Sequence, residues 1–366
     1  MLDFYYNNDY SEEDSEETYP NFFFEWDKAV NSGKSPGYYE PDELTEIIEI
    51  YIINNNIERA KYAIDYTLNI YSDDDELLYE ILLLLNDYEL WNHLLSMCEK
   101  YKDEAEVWGD GHKLTALLHL GMEDEAFFFF RKLKTKYAND REDLSIIYQA
   151  MGEALIEVDL FESSIDVIQE AIGLLGGEVD FCWLQLQCYL SMGEKDNVIE
   201  LTEIIQKLNP LDAETWHRQG IVFQEIDETA KSIEAFEYAQ SLGYDPKQNL
   251  MHLIHAYQKN DNFNKALEKT KEYLILYPDS HMVNLIAAKL CSQIENWDEA
   301  LKYINYAIQL MPTMHSLYFY KSSFYLSLEE YKKAKLTLIE GIDATEDPDG
   351  DLNKELVRLN KQYPDF

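Results

Sequence analysis

Small residues recur at intervals of thirty-four positions through the second half of the sequence. An aromatic residue often stands three positions before the small one, and apolar residues follow it at four and seven positions. A chain with this period cannot form one ordinary globular core, because a single short unit is too small to bury its apolar face and must stack on its neighbours. The small residues are Ser164, Val198, Ser232, Ala266, Ala300 and Ala334.

Each unit has the pattern of two amphipathic helices joined by a polar break. In the unit that starts at Ala213, Trp216, Gly220 and Phe223 fall on one face of the first helix. Asp227 and Glu228 form the break. The second helix presents Ile233, Phe236, Ala239 and Leu242, and Gly243 with Pro246 ends it. The fold class is therefore predicted to be all-α.

The thirty-four-residue unit resembles the tetratricopeptide repeat (TPR), whose pattern is W-x2-L-G-x2-Y…A-x3-F…P. Matching segments are Tyr148-x2-Met151-Gly152-x2-Leu155, Trp216-x2-Gln219-Gly220-x2-Phe223 and Leu250-x2-Leu253-Ile254-x2-Tyr257. Looser copies are centred on Ala60, Trp91 and Ala126. The resemblance implies a right-handed superhelical solenoid of about nine helix–turn–helix repeats over residues 41–348.

The segments that flank the repeats have their own composition. Residues 1–20 hold seven carboxylates and no basic residue, which predicts an acidic disordered tail. Residues 21–40 contain the aromatic run from Phe22 to Trp26, which we interpret as an N-terminal capping segment or, alternatively, as a linear motif that docks elsewhere. Residues 349–366 are expected to form a C-terminal capping helix, with Leu352, Leu356 and Leu359 on one side.

The charge balance narrows the classes of partner. The chain has 71 acidic and 30 basic residues, a formal net charge of −41, so nucleic acid and membrane surfaces are not expected partners. The start lacks a signal peptide pattern, no apolar run spans a bilayer, and the four cysteines are scattered. We therefore expect a cytoplasmic protein. Its composition resembles that of bacterial TPR proteins, and its oligomeric state stays open.

No catalytic, cofactor-binding or metal-binding motif is found in the sequence, which favours a protein that is not an enzyme. His252 and His255 stand three positions apart on one predicted helix and could share an ion. A structural metal site needs about four ligands, and no cysteine or third histidine at metal spacing accompanies this pair. We expect these histidines to be solvated or to line a groove.

The resemblance to TPR proteins also implies where a ligand binds, since the first helix of each unit lines the concave surface in that family. The same inward positions in the central repeats of this chain hold one tryptophan, several amides, two histidines and two lysines. The predicted peptide-binding residues are Trp183, Gln187, His217, Gln224, Met251, His255, Gln258, Lys259, Lys289 and Gln293.

Charge is distributed unevenly along the sequence. Residues 1–100 carry 24 acidic and 5 basic groups, whereas residues 247–340 carry 10 acidic and 11 basic groups. Two functions fit these observations. The first is a non-catalytic scaffold or adaptor that binds a peptide segment or helix of a partner protein in the TPR groove. The second is an acidic assembly chaperone or regulatory subunit that shields a basic client protein.

Overall fold

The computed structural model describes residues 19–72, 74–102, 104–346 and 350–364. Twenty α-helices and no β-strand are found within these ranges, which confirms the all-α prediction. The predicted acidic tail lies outside them, apart from its last two residues. The chain divides into two compact units, residues 1–192 and residues 193–366.

Unit 1 contains ten helices, eight of which form four antiparallel pairs. A helix that precedes the first pair, α1, spans Asn21–Asn31, and α10, which ends the unit, spans Val179–Met192. The pairs are α2 (Pro41–Ile53) with α3 (Ile57–Ile70), α4 (Asp75–Asp87) with α5 (Trp91–Lys100), α6 (Glu106–His119) with α7 (Glu123–Lys136), and α8 (Arg141–Glu157) with α9 (Phe161–Leu175).

Unit 2 begins with α11 (Lys195–Leu208) and ends with α20 (Asp351–Gln362). Between them lie four further pairs. They are α12 (Ala213–Glu225) with α13 (Thr229–Ser241), α14 (Pro246–Lys259) with α15 (Phe263–Leu276), α16 (His281–Gln293) with α17 (Trp297–Leu310), and α18 (His315–Ser327) with α19 (Tyr331–Thr345).

The small residues of the thirty-four-residue period are all fully buried. The hydroxyls of Ser164 and Ser232 donate hydrogen bonds across the pair to the carbonyls of Gly152 and Gly220, at 2.8 and 2.9 Å. A larger side chain at either position would hold the two backbones apart, because cores are packed at crystal-like density. The period is thus a packing requirement of the helix pair.

The register of the second pair differs from the sequence prediction, which centred that repeat on Trp91. Ala60 and Ala126 are each the fourth residue of their helices, α3 and α7. Trp91 is instead the first residue of α5. Leu94 occupies the equivalent place in α5 and is fully buried. The prediction was wrong because a leucine stands where most of the other repeats have a small residue. The recurring small residue therefore does not mark the position of this repeat in the sequence.

The first and last helices of the described chain, α1 and α20, cover the apolar faces of the helix pairs next to them. Trp26 of α1 is fully buried, and its ring centroid lies 5.3 Å from that of Tyr39 and 5.0 Å from that of Tyr66. In unit 2, Leu352 and Leu359 of α20 are buried in one cluster with Leu338. Each of these helices covers apolar surface that the neighbouring helix pair would otherwise expose to water.

A left-handed residue separates the two helices of most pairs. Gly121 takes this conformation in unit 1, but acidic residues or asparagine take it at most other positions, among them Glu295 with φ 58°. A side chain in this region of backbone space costs roughly 1 kcal/mol compared with glycine. Most repeats therefore keep the left-handed conformation of this turn, while the residue type that adopts it varies.

Replacing Glu295 with glycine should stabilise the protein. Glu295 is exposed and no hydrogen bond of its side chain is found among the described residues, so the substitution removes backbone strain and little else. We expect the free energy of unfolding to rise by about 0.5–1 kcal/mol, the relief of strain being partly offset by the greater freedom of the unfolded chain. Urea unfolding measures it. The reverse change, Gly121→Glu, should lower stability by a similar amount, and an unchanged midpoint for both variants would contradict this account.

Candidate functional site

The first helices of unit 2 (α12, α14, α16 and α18) are joined side by side through polar and apolar contacts. His217 of α12 lies next to Asn249 of α14. Leu250 and Ile254 of α14 share a buried cluster with Val283 of α16. Lys289 of α16 extends to Tyr320 of α18, with its Nζ 3.4 Å from the hydroxyl and 4.8 Å from the ring centroid. We call the surface formed by these helices the unit 2 first-helix face.

Three of these helices contain no carboxylate at all. The segments α14, α16 and α18 carry lysines at positions 247, 259, 289 and 321 and no Asp or Glu, although 71 of the 366 residues of the chain are acidic. In α12, the remaining first helix, Glu214 and Glu225 stand beside Arg218. The part of the unit 2 first-helix face formed by α14, α16 and α18 is therefore a region of neutral to positive charge on a strongly acidic protein, which favours a neutral or acidic ligand.

The polar centre of this face is formed by His217, which is buried, and His252, which is half-buried. The amide of Asn249 donates from Nδ2 to the carbonyl of Phe236 at 2.9 Å, which leaves its Oδ1 to accept a hydrogen bond from Nδ1 of His217 at 3.0 Å. The Nδ1 of His252 lies 3.3 Å from Oε1 of Gln224. Burial lowers the pKa of His217, the Asn249 hydrogen bond opposing it, and lowers that of His252 to about 4, with further contributions from His217 and His255. Both rings are therefore neutral at pH 7.

The predicted site residues of unit 2 fall into two groups. His217 is only 3% exposed, and Gln224, Met251 and Gln258 are half-buried. The exposed members are His255, Lys259, Lys289 and Gln293. Lys259 forms an ion pair with Asp227 in the turn after α12, whereas Lys289 has no carboxylate partner among the described residues. In this conformation a ligand would contact the exposed group, whereas His217 offers it little surface.

The two predicted site residues of unit 1 lie on α10. Trp183 is 8% exposed, whereas Gln187, four residues later, is exposed. Trp183 therefore offers little surface to a ligand in this conformation. An exposed aromatic that a ligand could meet is Phe319 of α18, which is 42% exposed on the unit 2 first-helix face. Its position could be found from the sequence only through the repeat register.

The first helices at the start of unit 1 show the opposite charge pattern. Neither α2 nor α4 contains a lysine or arginine, and both carry several carboxylates. The pKa of Glu80 is raised by burial and by repulsion from Asp42, Glu76 and Asp74.

Within the described part of the chain, no three His, Cys, Asp or Glu side chains converge as they would around a metal ion. The cysteines at 98, 182, 188 and 291 are free and buried, and burial raises the pKa of each thiol. A search of the described helices for one long and apolar enough to cross a membrane gives none.

Comparison with solved structures gives matches to repeat proteins. The C-terminal part of a TPR repeat-containing protein from Cytophaga hutchinsonii aligns with a TM-score of 0.52 and 16% identity, over 68% of this chain and 98% of that one. A TPR protein from Parabacteroides merdae aligns with a TM-score of 0.40 and 12% identity, over 74% of this chain and 98% of that one. YrrB, described as a TPR protein with an unusual peptide-binding site, aligns with a TM-score of 0.34 and 15% identity, over 63% and 97%.

No protein-family model and no curated protein matches the sequence. The helix pairs, the thirty-four-residue period and the match to the Cytophaga hutchinsonii structure agree on one fold. The chain folds as an array of tetratricopeptide repeats. At 16% identity this likeness defines the architecture, and function has to be argued from the surfaces of the chain itself.

Proposed function

We propose that this protein is a non-catalytic interaction scaffold that binds an extended segment of a partner protein on the unit 2 first-helix face. The observation that carries this proposal is the absence of carboxylates from α14, α16 and α18. On a chain with a net charge of −41, an acidic or neutral segment meets little repulsion on such a face.

The exposed side chains indicate how a segment would be held. Lys289, free of a carboxylate partner among the described residues, can pair with an acidic group of the ligand. His255 and Gln293 supply hydrogen-bonding groups, and Phe319 offers an aromatic surface on which an apolar side chain can pack. An extended segment or a single helix could make these contacts along successive first helices.

The proposal is tested by selecting ligands from a displayed library of random twelve-residue peptides on the full-length protein. We expect the selected peptides to combine Asp or Glu with an aromatic or aliphatic residue. Their affinity, measured by fluorescence anisotropy, should fall about tenfold or more in a Lys259→Glu/Lys289→Glu variant, since two attractive charges become repulsive.

A matched control separates this local effect from the change in net charge. Lys302 of α17 and Lys332 of α19 are exposed lysines on second helices. The Lys302→Glu/Lys332→Glu variant alters the net charge equally and should bind the peptides like the wild type. Equal loss in both double variants would show that only the overall field matters, and the face would not be a binding site.

A second function is favoured by the acidic surface of α2 and α4. Four carboxylates that repel one another around Glu80 would be relieved by a cationic ligand, which fits a chaperone or regulatory subunit that shields a basic client. In that case the same selection would return lysine- and arginine-rich peptides. Their binding would be lost in a Glu76→Gln/Glu80→Gln variant and would fall steeply with salt.

A further inference from the structure

One face of α7 in unit 1 carries exposed basic side chains next to an exposed aromatic ring. Phe128, Arg131, Lys132, Thr135 and Lys136 are spaced so that they share one side of the helix, and all five are exposed. Phe128 is 54% exposed, and the ammonium of Lys132 lies 4.3 Å from the centroid of its ring. This is a solvent-facing stripe of cations around one aromatic ring.

The stripe borders an open hollow of about 300 Å³ between α5 and α7. Lysines from three successive segments of the chain meet there, with the ring of Phe129 under the ammonium of Lys113 at 4.9 Å. We call the hollow and the stripe together the α7 basic surface. Its members are Lys102, Lys113, Phe128, Phe129, Arg131, Lys132 and Lys136.

The positive charge of the α7 basic surface is only partly neutralised. Lys113 pairs with Glu99 at 3.1 Å and Lys136 with Asp110 at 2.8 Å. Neither Arg131 nor Lys132 has a carboxylate within ion-pair distance among the described residues, although acidic residues outnumber basic ones by 71 to 30 in the chain. Repelling cations and an exposed phenyl ring favour a ligand that is both acidic and aromatic.

A nucleophilic role for the hollow is disfavoured by the state of its one thiol. Cys98 is 3% exposed, and burial is the main cause that raises its pKa to about 12. The thiol therefore stays protonated at neutral pH, and a protonated thiol is a poor nucleophile. The hollow is better suited to holding side chains of a ligand than to reacting with it.

The chain itself contains a segment of the required chemistry. Residues 1–18 hold seven carboxylates, no basic residue and the aromatic residues Phe4, Tyr5, Tyr6 and Tyr10. They end next to Tyr19, which lies against the first helix pair of unit 1, with its hydroxyl 3.0 Å from Oδ1 of Asn54. The segment is thus attached to the unit that carries the α7 basic surface.

The length of the segment is sufficient to reach that surface. Eighteen residues span up to about 60 Å when extended. The second helices α3, α5 and α7 follow one another in unit 1, with Lys100 of α5 paired to Asp65 of α3 at 3.0 Å. At about 10 Å between neighbouring helices, α7 lies roughly 20 Å from α3. We propose that residues 1–18 bind the α7 basic surface of their own chain and compete with other acidic ligands for it.

The test uses a synthetic peptide of residues 1–18 carrying a C-terminal fluorophore. The protein is the full chain in which the seven carboxylates of that segment are replaced by Asn or Gln, so that the surface is vacant. We expect this chain to bind the peptide at micromolar concentration and the wild type to bind it at least tenfold more weakly, because the attached segment has a far higher effective concentration.

Variants of the neutralised chain locate the contact. Arg131→Glu/Lys132→Glu should abolish binding, Phe128→Ala should weaken it several-fold, and Lys302→Glu/Lys332→Glu in unit 2 should leave it unchanged. All altered positions are exposed, so thermal unfolding should match the parent chain, which separates lost binding from lost folding. Binding that survives the Arg131/Lys132 reversal would overturn the proposal. So would tight binding of a twelve-nucleotide RNA without binding of the peptide, since the surface would then be a phosphate site.

Discussion

Replacing Gly220 with alanine is expected to lower the free energy of unfolding by about 2 kcal/mol. A Cβ at this position would lie 2.5–2.7 Å from three carbons of the Phe236 ring, far inside van der Waals contact. Overpacking of this kind costs about 3 kcal/mol, and the better helix propensity of alanine returns about 1 kcal/mol. Urea unfolding of the full chain measures the difference.

The ring of Phe236 has little freedom to move away from the added methyl group. It is fully buried, its centroid lies 5.0 Å from that of His252 in a stacked arrangement, and 5.3 Å from that of His217. Any shift of the ring would therefore disturb His217 and His252 of the unit 2 first-helix face. The close approach of α12 and α13 at Gly220 thus supports the candidate site as well as the core.

Gly173 of α9 provides the matched control for this substitution. It also lies within a helix, but a Cβ built there meets no atom within 4 Å. Gly173→Ala should therefore raise the free energy of unfolding by about 0.5–1 kcal/mol through the unfolded chain alone. The same substitution should thus lower the free energy of unfolding at position 220 and raise it at position 173. A Gly220→Ala variant as stable as the wild type would contradict the described packing.

Acidification should destabilise unit 2 through its half-buried His252. The folded state holds His252 neutral, with its pKa lowered to about 4, mainly by burial. In the unfolded chain the pKa returns to about 6.5. Between these values the unfolded state binds more protons, so this contribution is fully present above pH 6.5 and is lost as the pH falls towards 4. Between pH 7 and pH 5 the loss from His252 is about 2 kcal/mol.

The His252→Gln variant isolates this effect from the titration of the carboxylates. Both proteins share the same acidic background, so the difference in their pH dependence reports the imidazole. We expect the stability of the variant, measured by urea unfolding at pH 7 and pH 5, to fall by about 2 kcal/mol less than that of the wild type over this interval. Parallel pH profiles would show that His252 titrates normally and that its half-buried surroundings do not lower its pKa.

The sequence predicted the fold through packing that repeats. Buried small residues such as Ser232 and Ala266 recur because most of the helix pairs share a close approach at this position, and this constraint leaves a period that can be read without coordinates. It failed locally at Leu94, where a larger side chain fills the equivalent position in α5.

The candidate site was less accessible to sequence reasoning. Position in the repeat placed His217 and Trp183 on inward faces, but it could not show that neighbouring helices bury them. Counting charges over residues 247–340 gave near neutrality, because that window averages carboxylate-free first helices with acidic turns and second helices. The difference in charge between the first helices and the second helices with their turns is seen only when the helix boundaries are known. The cations of α7, from Arg131 to Lys136, were visible in the sequence, but their exposure beside Phe128 required the structure.

The central claim, that the unit 2 first-helix face is the ligand-binding surface, is tested most directly by hydrogen exchange. The tightest peptide from the library selection is bound to the full-length protein, and amide exchange is compared with and without it. We expect slower exchange in α14, α16 and α18, with α13, α15 and α17 unchanged, because the ligand contacts the first helices alone. Protection confined to the second helices, or to α2 and α4 of unit 1, would contradict the claim.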